Sequence, residues 1–71
     1  MPQQTKTLYY KNFQIDIAAE SLANGKWQPQ WWIWIGDEAT RFFHECQLDS
    51  EVEANEFAAN EARKYLDMKA V

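Results

Sequence analysis

The pattern of residues changes once along this chain, near Leu48. Before that point aromatic and β-branched residues alternate with polar ones, whereas after it Ala and Glu recur at helical spacing. One such change within 71 residues leaves room for a single sheet and a single helix. We therefore expect one α+β domain over residues 1–71, in which an antiparallel β-meander of three to four strands packs on one C-terminal α-helix.

Alternating segments bounded by turn residues predict the strands. We place them at about residues 6–10, 13–19, 27–35 and 39–48. Lys11-Asn12 makes a two-residue link between the first two strands, because Asn tolerates positive φ. That link places Tyr10 opposite Phe13. Pro29 has no backbone donor, so we expect a bulge or irregular pairing in the third strand.

The C-terminal segment has the clearest helix signal. Ser50 and Glu53 have the spacing of a capping box, which predicts a helix over about residues 50–68. Its apolar residues form one stripe, which we expect to be buried: Ala54, Phe57, Ala58, Ala62, Tyr65 and Leu66. We interpret its acidic residues as a solvated surface, with a basic protein partner as the alternative.

A single helix covers only part of one side of such a sheet. The helix is about 10 Å wide, and four strands span about 14 Å between their outer axes. If Trp31, Ile33 and Ile35 point toward the helix, strand alternation sends Trp32 and Trp34 to the open side, which also carries Tyr9 and Phe43. The predicted interaction face then consists of Tyr9, Trp32, Trp34 and Phe43.

The third strand can also be oriented the other way. Its sequence is apolar on both faces, and periodicity alone cannot orient such a run. In the alternative, Trp32 and Trp34 join the core and Trp31 caps an edge.

Composition excludes several classes of partner. The net charge of −4 opposes binding to a phosphate backbone or to an anionic membrane surface, so we expect no nucleic acid and no membrane as partner. No apolar run approaches the roughly 20 residues that span a bilayer. Residues 1–7 lack the charged and apolar segments of a signal peptide, and the lone Cys46 cannot form an internal disulfide. We expect a soluble, cytoplasmic protein.

His44 and Cys46 are the only pair that hints at chemistry. Two residues apart on a predicted strand, they share one face and so have the placement of two metal ligands or of a base and a nucleophile. A structural zinc site needs four ligands, and a catalytic dyad needs an orienting group and an oxyanion site. We therefore predict no catalytic residue, no metal, no cofactor and no enzyme, and interpret the pair as a histidine at the core edge and a small buried cysteine.

The order of motifs resembles that of a group of small proteobacterial single-domain proteins of uncharacterised function. The likeness rests on Tyr10-Lys11-Asn12-Phe13, on Asn24-Gly25-Lys26-Trp27, on the aromatic strand, and on the Ala-rich helix. The hairpin of that group commonly has Gly where this chain has Asn12, and its third strand is usually less rich in Trp. The resemblance implies a β-sheet followed by a helix in a stand-alone cytoplasmic protein, and it implies no activity.

These observations favour a non-enzymatic interaction domain. We expect the open aromatic face to bind another protein or a second copy of the chain as a homodimer. The alternative is a small ligand or a carbohydrate bound by the same tryptophans.

Overall fold

An antiparallel sheet of four strands and a C-terminal helix make up the fold. The computed structural model describes residues 5–69, so the start of the chain, where we expect no signal peptide, lies partly outside the described residues. The elements in chain order are β1 (Lys6–Tyr10), β2 (Phe13–Ile17), β3 (Glu20–Ser21), β4 (Trp27–Gln28), β5 (Gln30–Ile35), β6 (Glu38–Phe43) and α1 (Glu51–Lys69). The main sheet has the order β1-β2-β5-β6, and β3 and β4 form a separate two-stranded ribbon. The predicted α+β meander packed on one helix is confirmed.

Tight turns set the register of the sheet. Lys11 and Asn12 have φ angles of 50° and 69°, the left-handed conformation that a two-residue type I′ hairpin requires at both central positions. Tyr10 pairs with Phe13, as predicted. Gly36, with φ of 64°, opens the equally short link between β5 and β6.

Pro29 divides the predicted third strand into two. We predicted one strand over 27–35, but β4 pairs with β3 and only β5 joins the main sheet. Proline cannot donate to a ladder, so pairing is interrupted there, in agreement with the irregularity expected at this position. The strand predicted over 13–19 also ends earlier, at Ile17. After it the chain leaves the sheet to enter β3, and the amide of Ala19 donates to Asn55 Oδ1 at 3.3 Å.

The same proline shortens the last strand. We predicted a strand over 39–48, but β6 ends at Phe43. The amide of His44 donates to the carbonyl of Pro29 at 3.2 Å, and Pro29 has no N–H to return. The ladder stops there. Leu48 then forms an isolated bridge with Trp27, through two backbone hydrogen bonds of 2.8 Å.

The core lies between the sheet and α1. Its centre consists of Ile15, Ile17, Trp31 and Ile33 from the sheet and Ala58, Ala59, Ala62 and Leu66 from the helix. The small alanine side chains let the helix backbone approach the sheet closely. Phe57 and Tyr65 belong to the predicted stripe but are only half-buried, and Ala59, which we did not predict, is buried.

Polar contacts hold both ends of α1. Ser50 Oγ accepts from the amide of Glu53 at 3.1 Å, which is the N-cap bond that the capping box predicts. Near the other end Asp67 accepts from Tyr10 Oη at 2.9 Å and pairs with Lys11 Nζ at 2.8 Å. Two hydrogen bonds lower the pKa of Asp67, the one from Lys11 more strongly than the one from Tyr10. The hairpin and the helix end are thereby joined. Over residues 5–69, α1 included, no helix combines the length and apolarity needed to cross a membrane.

Candidate interaction face

The side of the sheet opposite α1 contributes no residue to the core cluster. We call this side the open face. Two rows of paired residues cross it, one of them Thr7, Asp16, Trp32 and Arg41, and the other Tyr9, Gln14, Trp34 and Ala39. Within each row, neighbours lie on adjacent strands, so their side chains are close enough to interact.

The four predicted interface residues all lie on the open face. Trp32 and Trp34 occupy its centre on β5, and Trp34 is 36% exposed while Trp32 is half-buried. Tyr9 is 72% exposed on the outer strand β1, and Phe43 is 54% exposed at the end of the other outer strand, β6. The structure therefore brings the two tryptophans together and leaves Tyr9 and Phe43 at opposite margins.

The alternative orientation of the third strand is wrong. Trp31 and Ile33, at 5% and 0% exposure, point toward α1. The Trp31 ring stacks on Phe42 with centroids 5.9 Å apart, and Phe42 in turn meets Tyr65 at 4.8 Å. Ile35 shares this side but is 48% exposed, because it ends β5 beside the turn at Gly36.

Asp16 lies between the tryptophans and β1 and organises the open face. Its Oδ2 accepts from Trp34 Nε1 at 2.8 Å, while its Oδ1 accepts from Thr7 Oγ1 at 2.8 Å and from Gln14 Nε2 at 3.2 Å. Burial alone would raise the pKa of this carboxyl, but the hydrogen bonds from Trp34, Thr7 and Gln14 together outweigh burial and lower it. Asp16 is thus held ionised, and the indole of Trp34 is fixed in orientation.

Arg41 supplies a positive charge on the same face. Its Nη2 donates to Gln30 Oε1 at 3.0 Å, and its guanidinium carbon lies 5.3 Å from the centre of the Phe43 ring. Asp16 and Arg41 stand in one row on either side of Trp32. The interaction face predicted from the sequence included neither residue. The signal that could have identified them is strand pairing, because Asp16 and Arg41 each lie directly opposite Trp32 on a neighbouring strand.

A shallow groove runs along this part of the sheet. It has a volume of about 280 Å³ and is lined by Thr5, Asp16, Trp32, Trp34 and Ala39. One wall is an ionised carboxylate and the others include two indole rings. Carboxylates accept hydrogen bonds, and indole faces attract cations, so the groove favours a positively charged or hydrogen-bond-donating group.

His44 and Cys46 do not share a strand face. Both follow the end of β6, which overturns the geometry on which their pairing as ligands or as a dyad depended. The backbone amide of Cys46 donates to His44 Nδ1 at 3.2 Å, and the His44 ring contacts Phe57 edge-on at 5.0 Å. Within the described part of the chain, no group of three or more His, Cys, Asp or Glu side chains is placed to hold a metal ion.

The open face is therefore the strongest candidate site, with Trp32 and Trp34 at its centre and the charges of Asp16 and Arg41 beside them. Comparison of the chain with protein-family models, with curated proteins and with solved structures found no match.

Proposed function

We propose that this chain is a non-enzymatic interaction domain that binds protein, its own second copy included, through the open face. The observation that carries the proposal is the position of Trp32 and Trp34 at the centre of the open face, where Trp34 is 36% exposed and Trp32 is half-buried, while the core lies on the other side of the sheet against α1. Contiguous apolar surface larger than a few hundred Å² on a soluble monomer typically marks a contact site or a ligand groove.

The chemistry of the face fits a protein partner. Aromatic residues and Arg are enriched at protein interfaces, and the centres of interfaces hold most of the binding energy. Trp32 and Trp34 have this central position, whereas Tyr9 and Phe43 have the position of a rim. The net charge of −4 disfavours nucleic acid and anionic membrane as partners.

The direct test removes the two central rings. We expect the double variant Trp32→Ser/Trp34→Ser to remain folded by circular dichroism and to lose binding, measured as mass against concentration and as capture of protein partners on the immobilised domain. Val52→Ser is the matched control, because Val52 is 63% exposed on the helix, away from the open face. A wild type that stays monomeric at millimolar concentration and captures nothing that depends on the tryptophans would contradict the proposal.

The groove supports a second candidate function, which is binding of a small ligand or a carbohydrate. A carboxylate beside indole rings suits sugar hydroxyl groups and a sugar face. The groove is smaller than the roughly 300 to 1,000 Å³ of most ligand sites, so protein contact remains the first candidate. Titration of the wild type with a panel of mono- and oligosaccharides, followed by tryptophan fluorescence, separates the two. A saturable change that Trp34→Ser abolishes, in a strictly monomeric protein, favours the ligand.

A further inference from the structure

We infer that the occupant of the open face is a second copy of this chain, packed face to face about a two-fold axis along β5, so that Asp16 of each copy meets Arg41 of the other. The inference rests on the proposed function, because it assumes that the open face binds protein. It adds the identity of the partner, the direction of the axis and the contact that fixes the register.

Charge placement carries the first step. The row through Trp32 holds one acid, Asp16 on β2, and one base, Arg41 on β6, each one strand away from β5. The Cα positions of the two residues are therefore equidistant from Trp32, at about 4.8 Å of strand spacing on each side. A face with this pattern is complementary to itself when its two sides are exchanged.

Symmetry decides which packing uses that complementarity. A two-fold axis along β5 exchanges the two sides of the sheet, which brings Asp16 over Arg41 twice and Trp32 over its own copy. An axis across the strands at the same row would bring Asp16 over Asp16 and Arg41 over Arg41. Like charges facing each other are repulsive, so the first arrangement is selected. Both arrangements keep the strands of the two sheets aligned, as packed sheets normally are, so charge decides between them.

The two side chains have the reach and the free valences for this contact. Packed sheets lie about 10 Å apart, a separation that an extended Arg and an Asp span together. Asp16 Oδ2 accepts one hydrogen bond, from Trp34, and so has room for another. Arg41 uses one donor on Gln30 Oε1 and is exposed, so its guanidinium can turn away from the sheet with little loss.

The size of the face predicts a weak dimer. A two-fold axis along β5 overlays three strands, β2, β5 and β6, because β1 lies two strands from the axis and has no counterpart on the other side. Three strands at about 4.8 Å spacing and six residues at about 3.3 Å rise give a contact face of roughly 14 by 20 Å. Two such faces have a combined planar area of roughly 570 Å², which is below the roughly 1,200 Å² at which standard specific interfaces begin. We therefore expect association in the micromolar range or weaker, and a dimer that forms with concentration.

Charge reversal tests the contact. In Arg41→Glu each copy faces the other with two acid-acid contacts, and in Asp16→Lys with two base-base contacts. We expect each variant alone to dimerise about tenfold more weakly than the wild type, or worse. An equimolar mixture of the two restores both opposite-charge contacts, so a heterodimer should form, as measured by sedimentation with one variant labelled. Lys64→Glu and Glu56→Lys make the same charge changes on the exposed surface of α1 and should leave dimerisation unchanged.

The outcomes are distinct. A heterodimer tighter than either homodimer supports the inference. Two results overturn it. One is that each single variant dimerises as tightly as the wild type, which would favour pairing along a strand edge. The other is the absence of a heterodimer. If Asp16→Lys fails to fold, the double variant Asp16→Asn/Arg41→Glu replaces it and should dimerise more tightly than Arg41→Glu alone; equal or weaker dimerisation overturns the inference. A wild type that stays monomeric at millimolar concentration also overturns the inference. If that monomer still captures another protein through Trp32 and Trp34, the proposed function stands.

Discussion

The two faces of the sheet use the same strands for different purposes. On the helix side, Ile15, Ile17 and Ile33 are shielded almost completely, and no buried polar or charged residue is found among the described residues. On the open side lie the residues next to these in sequence, which are the Asp16 carboxylate on β2 and the indoles of Trp32 and Trp34 on β5. An apolar residue on a strand is therefore buried only where another layer packs against its side of the sheet.

The faces also differ in how their side chains are held. Packing against small residues of α1, such as Ala58 and Ala62, fixes the helix side. Hydrogen bonds to Asp16 fix the open side, since the carboxylate accepts from Trp34, Thr7 and Gln14. Packing stabilises the fold through area removed from water, whereas the Asp16 network chiefly sets orientation.

Truncation of a core residue should give the largest effect. Ile33→Ala removes atoms from a side chain at 0% exposure, and we expect it to lower the free energy of unfolding by about 2 to 5 kcal/mol. The neighbouring Trp34→Ser, on the open face, should have a smaller effect. Urea unfolding of both variants measures the difference, and the reverse order would break the distinction between the faces.

Enlargement of a small residue should come next. Ala62 is at 0% exposure against the sheet, so Ala62→Leu should destabilise by about 1 to 3 kcal/mol through overpacking. Ala39→Leu makes the same change on the open face, where space is free, and should stay within about 0.5 kcal/mol. Thermal unfolding followed by circular dichroism compares the pair. Equal losses would show that the open face is packed as tightly as the core.

Replacement of the Asp16 carboxylate in Asp16→Asn should lower the free energy of unfolding by about 1 kcal/mol, because hydrogen bonds to a charged acceptor are replaced by weaker ones to a neutral amide. The folded state lowers the pKa of Asp16, so its contribution is present above the unfolded pKa and is lost as pH falls through the folded value. Asp16→Asn should therefore be less stable than the wild type at neutral pH. The gap should narrow once the pH falls below the ordinary Asp value of 3.8. Urea unfolding between neutral pH and about pH 2 measures it, and a gap independent of pH would refute the role of the charge.

The smallest effect is expected at the margin of the open face. Tyr9 is 72% exposed, so Tyr9→Ala should change the free energy of unfolding by less than about 0.5 kcal/mol. Tyr10, the next residue, packs against the core from the other side and donates to Asp67, so Tyr10→Ala should cost distinctly more. Denaturant midpoints of the two variants give the comparison. A larger loss at Tyr9 would reassign the faces of β1.

Local signals predicted the parts of the fold that local chemistry governs. The Lys11-Asn12 turn and the Ser50 cap were readable because each depends on residues within a few positions. The effect of Pro29 was foreseen only within its own strand. Its second consequence is the end of β6 at Phe43. That end arises because Pro29 has no N–H to donate to the carbonyl of His44, a residue distant in the sequence.

The candidate site was predicted in its apolar part and missed in its charged part. Strand alternation grouped Trp32 and Trp34, because that rule holds within one strand. Asp16 and Arg41 reach the site from other strands, so their relation to Trp32 depends on register across the sheet. A carboxylate on a strand otherwise indicates only a solvated position.

The sequence by itself determined the order of the four main-sheet strands and the helix along the chain, and the fact that one helix can cover only part of one side of the sheet. These follow from periodicity, turn chemistry and element widths, which are properties of neighbouring residues. Only the tertiary structure decided which side of β5 meets α1, where Pro29 breaks the pairing, and that Asp16 holds Trp34. Those outcomes depend on contacts between residues distant in the chain, whose free energy is set by burial and register together.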